Sequence, residues 1–369
     1  VSEARSIDLN GRWLLRGDPK DQGLAEKWWL VSSWSDKHES MDVPGAFQNV
    51  LGATYHGIAW LANVVRVPTT WREDRGKGQR LWLRFDAVAT DTTVWVNGIE
   101  VGRHVGDFAP FEFDVTEAVE QGWARKAPMN PPSDGEITIC VRVDEIPATR
   151  PPPGVTVENG HITKGFHDVL SLQHGGIWED VTLRRTLRTA IAPDGIRVIA
   201  NPATGQVDIL TELHPHGANT SLTVRIRDPK GELVGEARHA VTSQRISVST
   251  TIANPCPWTA ESPILYSLTV RVSEGDRLSD ESTVRFGFRH VSTGGPDNTR
   301  ILLNGQPFLI RGVLHWGHEP EIMSPAPPPV QVRAEFARLK DMGFNCVCLC
   351  MWYPPRYYFD IADEMGMLL

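Results

Sequence analysis

The residue types in this chain that could do chemistry are tryptophan, histidine and aspartate, and they gather in two places. Trp outnumbers Phe, 13 to 12, in 369 residues. Indole offers a flat apolar face on which a sugar ring can stack, although most such side chains fill sandwich cores. Towards the carboxyl end, the apolar run Phe308 to Val313 gives way to a polar loop with His315, Trp316, His318 and Glu319, and a second run, Cys346 to Cys350, leads to Trp352 and Tyr353. Earlier, between Arg150 and Glu179, the rigid opening RPPPG is followed by VENGHITKGFHDVLSLQHGGIW, rich in His, Asp and Gly and poor in alternation. A long irregular stretch inside an otherwise compact domain often meets a ligand. The bland reading of its Asp168 is a carboxylate that fixes its own turn.

The elements that must hold these residues differ in period. Between Asp8 and Arg289 apolar residues alternate, as in SIDLNGRWLLR, RLWLRFDAV and EITICVRVD, which predicts strands with one buried face. Asn97-Gly98, between two alternating runs, predicts a two-residue hairpin. After EDVTLRRT a second set begins: GIRVIA, QVDILTEL, SLTVRIRD, ELVGEARHAV, RISVSTTI, YSLTVRVS and STVRFGFRHV. About seven strands in about a hundred residues is the pattern of an immunoglobulin-like sandwich, here without the cysteine pair. Its Pro-rich segment NPCPWTAESPILY reads as a spacer and brace.

Helical spacing enters only near the end, with Val332, Phe336 and Leu339 between Pro328-Pro329 and Gly343, then Phe359, Ala362 and Met365 between Pro354-Pro355 and Gly366. Helices are therefore expected essentially only after Pro329. Short apolar strands alternating with helices are the pattern of parallel β/α units, and Met367, Leu368 and Leu369 read as the start of a third strand. The expected division is 1–188, 189–289 and 290–369, in a mostly β protein.

Composition narrows the partners. Gly and Pro number 32 and 27, which suits many short strands joined by tight turns. A net charge of −8 with scattered Lys and Arg gives no basic stripe and argues against nucleic acid. No apolar run is long enough to span a bilayer, so no membrane partner is expected. Cys346, Cys348 and Cys350 alternate along one expected strand, face one way as small buried hydrophobes, and lack the spacing of zinc ligands. With an odd count of five Cys there is no disulfide framework. No metal and no cofactor is expected. The chain begins at Val1 rather than Met, which leaves localisation open.

Six stretches in order carry a resemblance: VPGAF at Val43, FDAVATDTTVWVNGIEVGRHVGDFAPFEFDVT from Phe85, GGIWEDVTL at Gly175, NPCPWTAESPILYSLTV at Asn254, FGFRHV at Phe286, and the run from NGQPFLIRGV to YPPRYYFDIADEMGMLL. Together they resemble glycoside hydrolase family 2, the β-galactosidases, β-glucuronidases, β-mannosidases and relatives, over almost the whole chain. The resemblance implies a jelly-roll (galactose-binding-like) sandwich in 1–188, an immunoglobulin-like sandwich in 189–289, and in 290–369 the first units of a (β/α)8 TIM barrel, incomplete at Leu369. It also implies an exo-acting, retaining β-glycosidase that releases terminal β-linked sugars, with carbohydrate as its partner and the full-length protein a candidate homo-oligomer. The same β domains also suit a non-catalytic carbohydrate-binding or scaffold protein.

Hydrolysis by two carboxylates needs them about 5 Å apart in retaining enzymes. In the family both are Glu at the ends of later barrel strands, the acid/base one after an Asn. No Asn-Glu pair occurs from Ile301 onward, and Glu319, Glu321, Glu335, Asp341, Asp360, Asp363 and Glu364 fall in a loop or on expected helices. The resemblance thus places the catalytic pair beyond Leu369 and assigns no catalytic residue here. GFHDVL, Gly165 to Leu170, resembles the family's FHDF segment, whose Asp reaches from the sandwich into the barrel mouth; this implies that Asp168 binds hydroxyls of the terminal sugar, a task suited to a carboxylate. RGVLHWGHE stands where the family has patterns like RGVNRHE, so Leu314 replaces the usual Asn. His315 or Trp316 then lines the sugar pocket, with a buried, satisfied His as the alternative. Galactosidases and glucuronidases share Ser-His-Tyr-Pro after the second strand, whereas this chain has Met351-Trp352-Tyr353-Pro354. Loss of that His removes a hydroxyl-binding group. Trp352 is more reminiscent of the mannosidase branch, but that branch's flanking glycines are missing, and the sugar stays unassigned.

Overall fold

The computed structural model describes residues 5–34, 37–73, 77–129, 133, 135–145, 174–214, 217, 219–317, 319 and 321–369. Asp168 and His318 lie outside the described residues. Two compact units are present, one of residues 1–185, 316–327 and 349–355, the other of 186–315, 328–348 and 356–369.

The first unit is built on a six-stranded antiparallel sheet in the order Glu39–Val43, Gly11–Asp18, Ile58–Arg66, Glu136–Asp144, Asp91–Val96, Ile99–Val105. A four-stranded sheet runs Ser6–Asp8, Val181–Thr186, Arg80–Phe85, Phe111–Asp114. Period-two alternation points Trp13, Leu15, Leu61, Val94 and Val141 from the first sheet and Leu81, Leu83, Phe85 and Leu183 from the second into one buried core. Each such side chain contributes about 1.5–3 kcal/mol of burial, and a one-residue slip would turn the whole set to water. Asn97 and Gly98 have φ of 50° and 79°, the two left-handed residues a type I′ hairpin needs, as the sequence predicts. The reverse face of the large sheet is also covered: Trp60, Trp95 and Cys140 pack under Trp28 and Trp34. Eleven of the thirteen Trp are buried, so packing rather than display accounts for the tryptophan content.

Helices are not confined to the end of the chain. The first unit carries α1 (Gln48–Leu51), α2 (Thr69–Glu73) and α3 (Thr116–Trp123). The reason is local in α3: Asp114 Oδ1 accepts the Thr116 N–H at its start, while Thr116, Val119 and Trp123 recur three and four residues apart and are buried. Two turns lie below the length at which helical periodicity stands out from an alternating background.

In the second unit the seven expected strands all form. They make an antiparallel sheet of three (Ile191–Ala200, Gln206–Leu213, Arg245–Thr251) and one of four (Leu233–Ala240, Thr220–Arg227, Tyr266–Glu274, Arg277–Phe286), which share a core that includes Val207, Ile209, Leu222, Val224, Leu268 and Phe286. A small sheet of Val291–Gly294, Arg300–Leu303 and Gln306–Pro307 follows, then Gly312–His315, α4 (Pro329–Asp341), Cys346–Leu349 and α5 (Arg356–Met365). Gly312–His315 pairs with Cys346–Leu349, and Asn345 joins the two by accepting the Arg311 N–H and donating to the Leu309 carbonyl.

Four local expectations are corrected here. The strand after Phe308 starts only at Gly312, and Leu309 is 72% exposed. Val347 is the buried residue of its strand while Cys348 is exposed and Cys346 and Cys350 are half-buried: the alternation is as expected but the covered face is the other one. The buried face of α5 is Tyr358, Ile361 and Ala362. The third strand reduces to one parallel bridge, Cys346 to Leu368.

Candidate functional site

His315 ends its strand in the second unit and is held there by both helices. Its Nε2 stands 3.4 Å from Glu335 Oε1 of α4, and its ring centroid is 6.3 Å from that of Tyr358 on α5. The imidazole and the carboxylate are both mostly buried, so the pair is a fixed one rather than a solvent-averaged surface contact. A histidine oriented in this way by a carboxylate can present its other nitrogen as donor or acceptor.

Trp316, Gly317 and Trp352 belong to the first unit. Trp352 is buried, and its ring lies so close to Gly317 that a β-carbon there would sit 2.3 Å from the indole Cδ2. Gly317 also has φ of +65°, so both sterics and backbone require glycine at this point. The loop 316–327 is tied further: Asn49 Nδ2 donates to the Ile322 carbonyl, and Ala326 packs on Ala87, Ala89 and Trp178. The structure thus brings Trp352 against the residue after Trp316. His315 falls in the other unit, and Asp168 is not described.

Two polar clusters of the first unit were not singled out from sequence. Asp107, buried, accepts a hydrogen bond from Thr90 Oγ1 at 2.7 Å, and its carbonyl accepts one from Trp178 Nε1 at 3.0 Å; His174 meets the Trp178 ring edge-on. Glu145 is fully buried and accepts the Gly57 N–H, with His56 Nδ1 at 3.4 Å. Between them VPGAF and GGIW are stitched together, Gly45 and Phe47 donating to Ile177 and Gly175 and Gln48 Oε1 accepting the Gly175 N–H. Gly175 is forced by this approach, since a β-carbon would lie 2.2 Å from the Phe47 ring. The available signal was Gly-Asp-Phe and Gly-Gly inside alternating runs, where small and acidic residues break a strand for a reason. Among the described residues no group of His, Cys, Asp and Glu could hold a metal ion.

A chain made of two such pairs of sheets with β/α units appended has known counterparts. A β-glucuronidase from Ruminococcus gnavus, solved in complex with D-glucuronic acid, superposes on 100% of this chain and 60% of its own, with a TM-score of 0.76 at 22% identity. The fold is therefore that of this class of glycoside hydrolase. Residues 7–129 match the model of the sugar binding domain of glycosyl hydrolases family 2, and residues 194–289 match a second model of the same family. The chain belongs to glycosyl hydrolase family 2. The β-galactosidase of Thermoanaerobacter pseudethanolicus is 26% identical over 332 residues, 85% of this chain and 39% of its own length; the β-glucuronidase of Felis catus is 28% identical over 326 residues, 83% and 47%. The chain spans about a third to a half of the curated relatives it matches.

Proposed function

We propose that this chain is the amino-terminal part of an exo-acting, retaining β-glycosidase that removes terminal β-linked sugars from oligosaccharides or glycoconjugates. In this reading residues 1–188 form a jelly-roll sandwich, 189–289 an immunoglobulin-like sandwich and 290–369 the first units of a TIM barrel. The observation that supports it best is the placement of loop 316–327 and of Trp352 in one compact unit with the strands that carry the family's sandwich motifs. In barrels of β/α units the loops that follow the strands are where binding residues sit, and loop 316–327 and Trp352 occupy that place in the chain. Trp316 and Trp352 then contribute to the pocket wall, His315 is oriented by Glu335, and Asp168 reaches sugar hydroxyls.

The acidic residues from Glu319 onward support the division of labour. Glu319 and Glu321 are in the loop, Glu335 and Asp341 on α4, Asp360, Asp363 and Glu364 on α5; none ends a strand. Two carboxylates about 5 Å apart are needed for a retaining double displacement. On this reading the chain by itself turns over no aryl glycoside, and the same observation keeps open the rival reading of a non-catalytic carbohydrate-binding protein. Asn-Glu and a second Glu on later strands of the full-length sequence separate the two readings.

Asp168→Ala in the full-length enzyme tests the pocket. Loss of hydrogen bonds that tighten in the transition state should cost about 2–4 kcal/mol, or about thirty- to a thousand-fold in kcat/KM, with the melting temperature unchanged. A lowered melting temperature with unchanged kinetics would assign Asp168 to its turn instead.

A further inference from the structure

The second unit has a groove with no part in the reading above. Its volume is about 360 Å³, the size of a small-molecule site, and it runs along Ile196–Ala200 and Val284–Gly287, the edge strands of the two sheets, to Trp258 and α5. Two neighbouring edges would ordinarily be blunted or covered. Here Ile196, Val198, Val284 and Phe286 give the groove an apolar floor, and Ile199 at its rim is 66% exposed.

Three arginines reach the groove, each of them ion-paired. Arg285, Arg289 and Arg356 line the groove with a single carboxylate, Asp363. The other acidic partners of these arginines, Asp360 and Glu364 for Arg285 and Asp194 for Arg356, are not among the lining residues. Arg289 lies over the Trp258 ring at 4.8 Å and bonds Asp363 through one nitrogen. A guanidinium has five N–H donors in a planar fork, so the single bonds to Asp194 and Asp363 leave donors on Arg356 and Arg289 for a bidentate partner.

We propose that this groove binds a small organic carboxylate, its anionic end in the fork of Arg289 and Arg356 and its apolar body along Ile196 and Val284. The N–H donors that the ion-paired guanidiniums of Arg289 and Arg356 leave unused suit a two-oxygen acceptor; the aliphatic floor selects one with a hydrocarbon body over an inorganic oxyanion.

Calorimetric titration of the full chain with hexanoate, hexanamide and inorganic phosphate tests this. Saturable hexanoate binding is expected, at least tenfold tighter than either of the others. Arg356→Gln alters an exposed side chain and should weaken hexanoate at least tenfold without moving the melting temperature. Ile199→Asp, also exposed, should do the same by placing a negative charge at the rim. No saturable binding, equal binding of hexanamide or phosphate, or hexanoate binding unaffected in both variants would overturn the assignment.

Discussion

Within the described residues the six-stranded sheet of the first unit and the two short strands that enter the β/α part of the second are covered to different extents. The large sheet is covered on both faces by its own unit, one by the paired sheet and the other by the segment with Trp28 and Trp34. Gly312–His315 buries no residue fully and Cys346–Leu349 only Val347; Leu314, Met351 and Tyr353 stay exposed. Parallel strands of β/α units are ordinarily covered on both faces. What holds this part is a brace: Trp258 Nε1 donates to the Asp363 carbonyl, Lys340 Nζ to the Ala260 carbonyl, and Arg285 and Arg333 both reach Glu364. The first region is thus packed by its own apolar residues, and the second is tied by polar contacts to the neighbouring sandwich and between its helices.

Truncation of one leucine in each region measures that contrast. Leu83→Ala removes a fully buried side chain and should cost about 2–5 kcal/mol in urea melts, whereas Leu314→Ala should stay within about 0.5 kcal/mol. Similar costs for both would mean that the strand face at Leu314 is covered in solution.

Alkaline pH sharpens the same comparison. Burial raises the Tyr55 phenol to about 12, against a smaller opposing effect of the hydrogen bond it accepts from the Asp18 N–H, and burial pushes the Cys140 thiol well up as well. Both groups are neutral when protonated, and both unfold into water where they ionise at 10.0 and 9.0. Their contribution is complete below those values and is lost as pH rises through the folded-state range. Urea midpoints for the first unit should therefore fall between about pH 9 and 12, and fall less steeply in Tyr55→Phe. An identical slope in the variant would remove Tyr55 from the account.

Thiol labelling gives the smallest and most local effect. In the native chain an aromatic disulfide reagent with peptide mapping should label Cys348 and Cys256, both exposed, and leave Cys140 untouched until urea is added. Prompt labelling of Cys140 would contradict a closed Trp-covered face.

Legibility from sequence follows the same divide. Alternation announced Leu81, Leu83 and Phe85, the Asn97-Gly98 turn and all seven strands of the second sandwich, because antiparallel sheets with one wet face write a period of two. It failed where burial depends on partners distant in the chain. Cys346, Cys348 and Cys350 could be assigned a common face but not which face is covered, and the eight residues of α3 were hidden in their strand context. Trp352 and His315 stand out in the sequence by residue type, but their contacts with Gly317 and Glu335, like those of Asp107 with Thr90 and Glu145 with Gly57, are approaches that no spacing encodes.

The central claim, a retaining exo-β-glycosidase of which this chain is the amino-terminal part, is tested most directly by proton NMR of products released from aryl β-glycosides by the full-length protein. The account predicts that the β-anomer of a single terminal sugar appears first and then mutarotates. Initial release of the α-anomer would contradict retention, and no turnover on β-glucuronides, β-galactosides or β-mannosides would contradict the glycosidase itself.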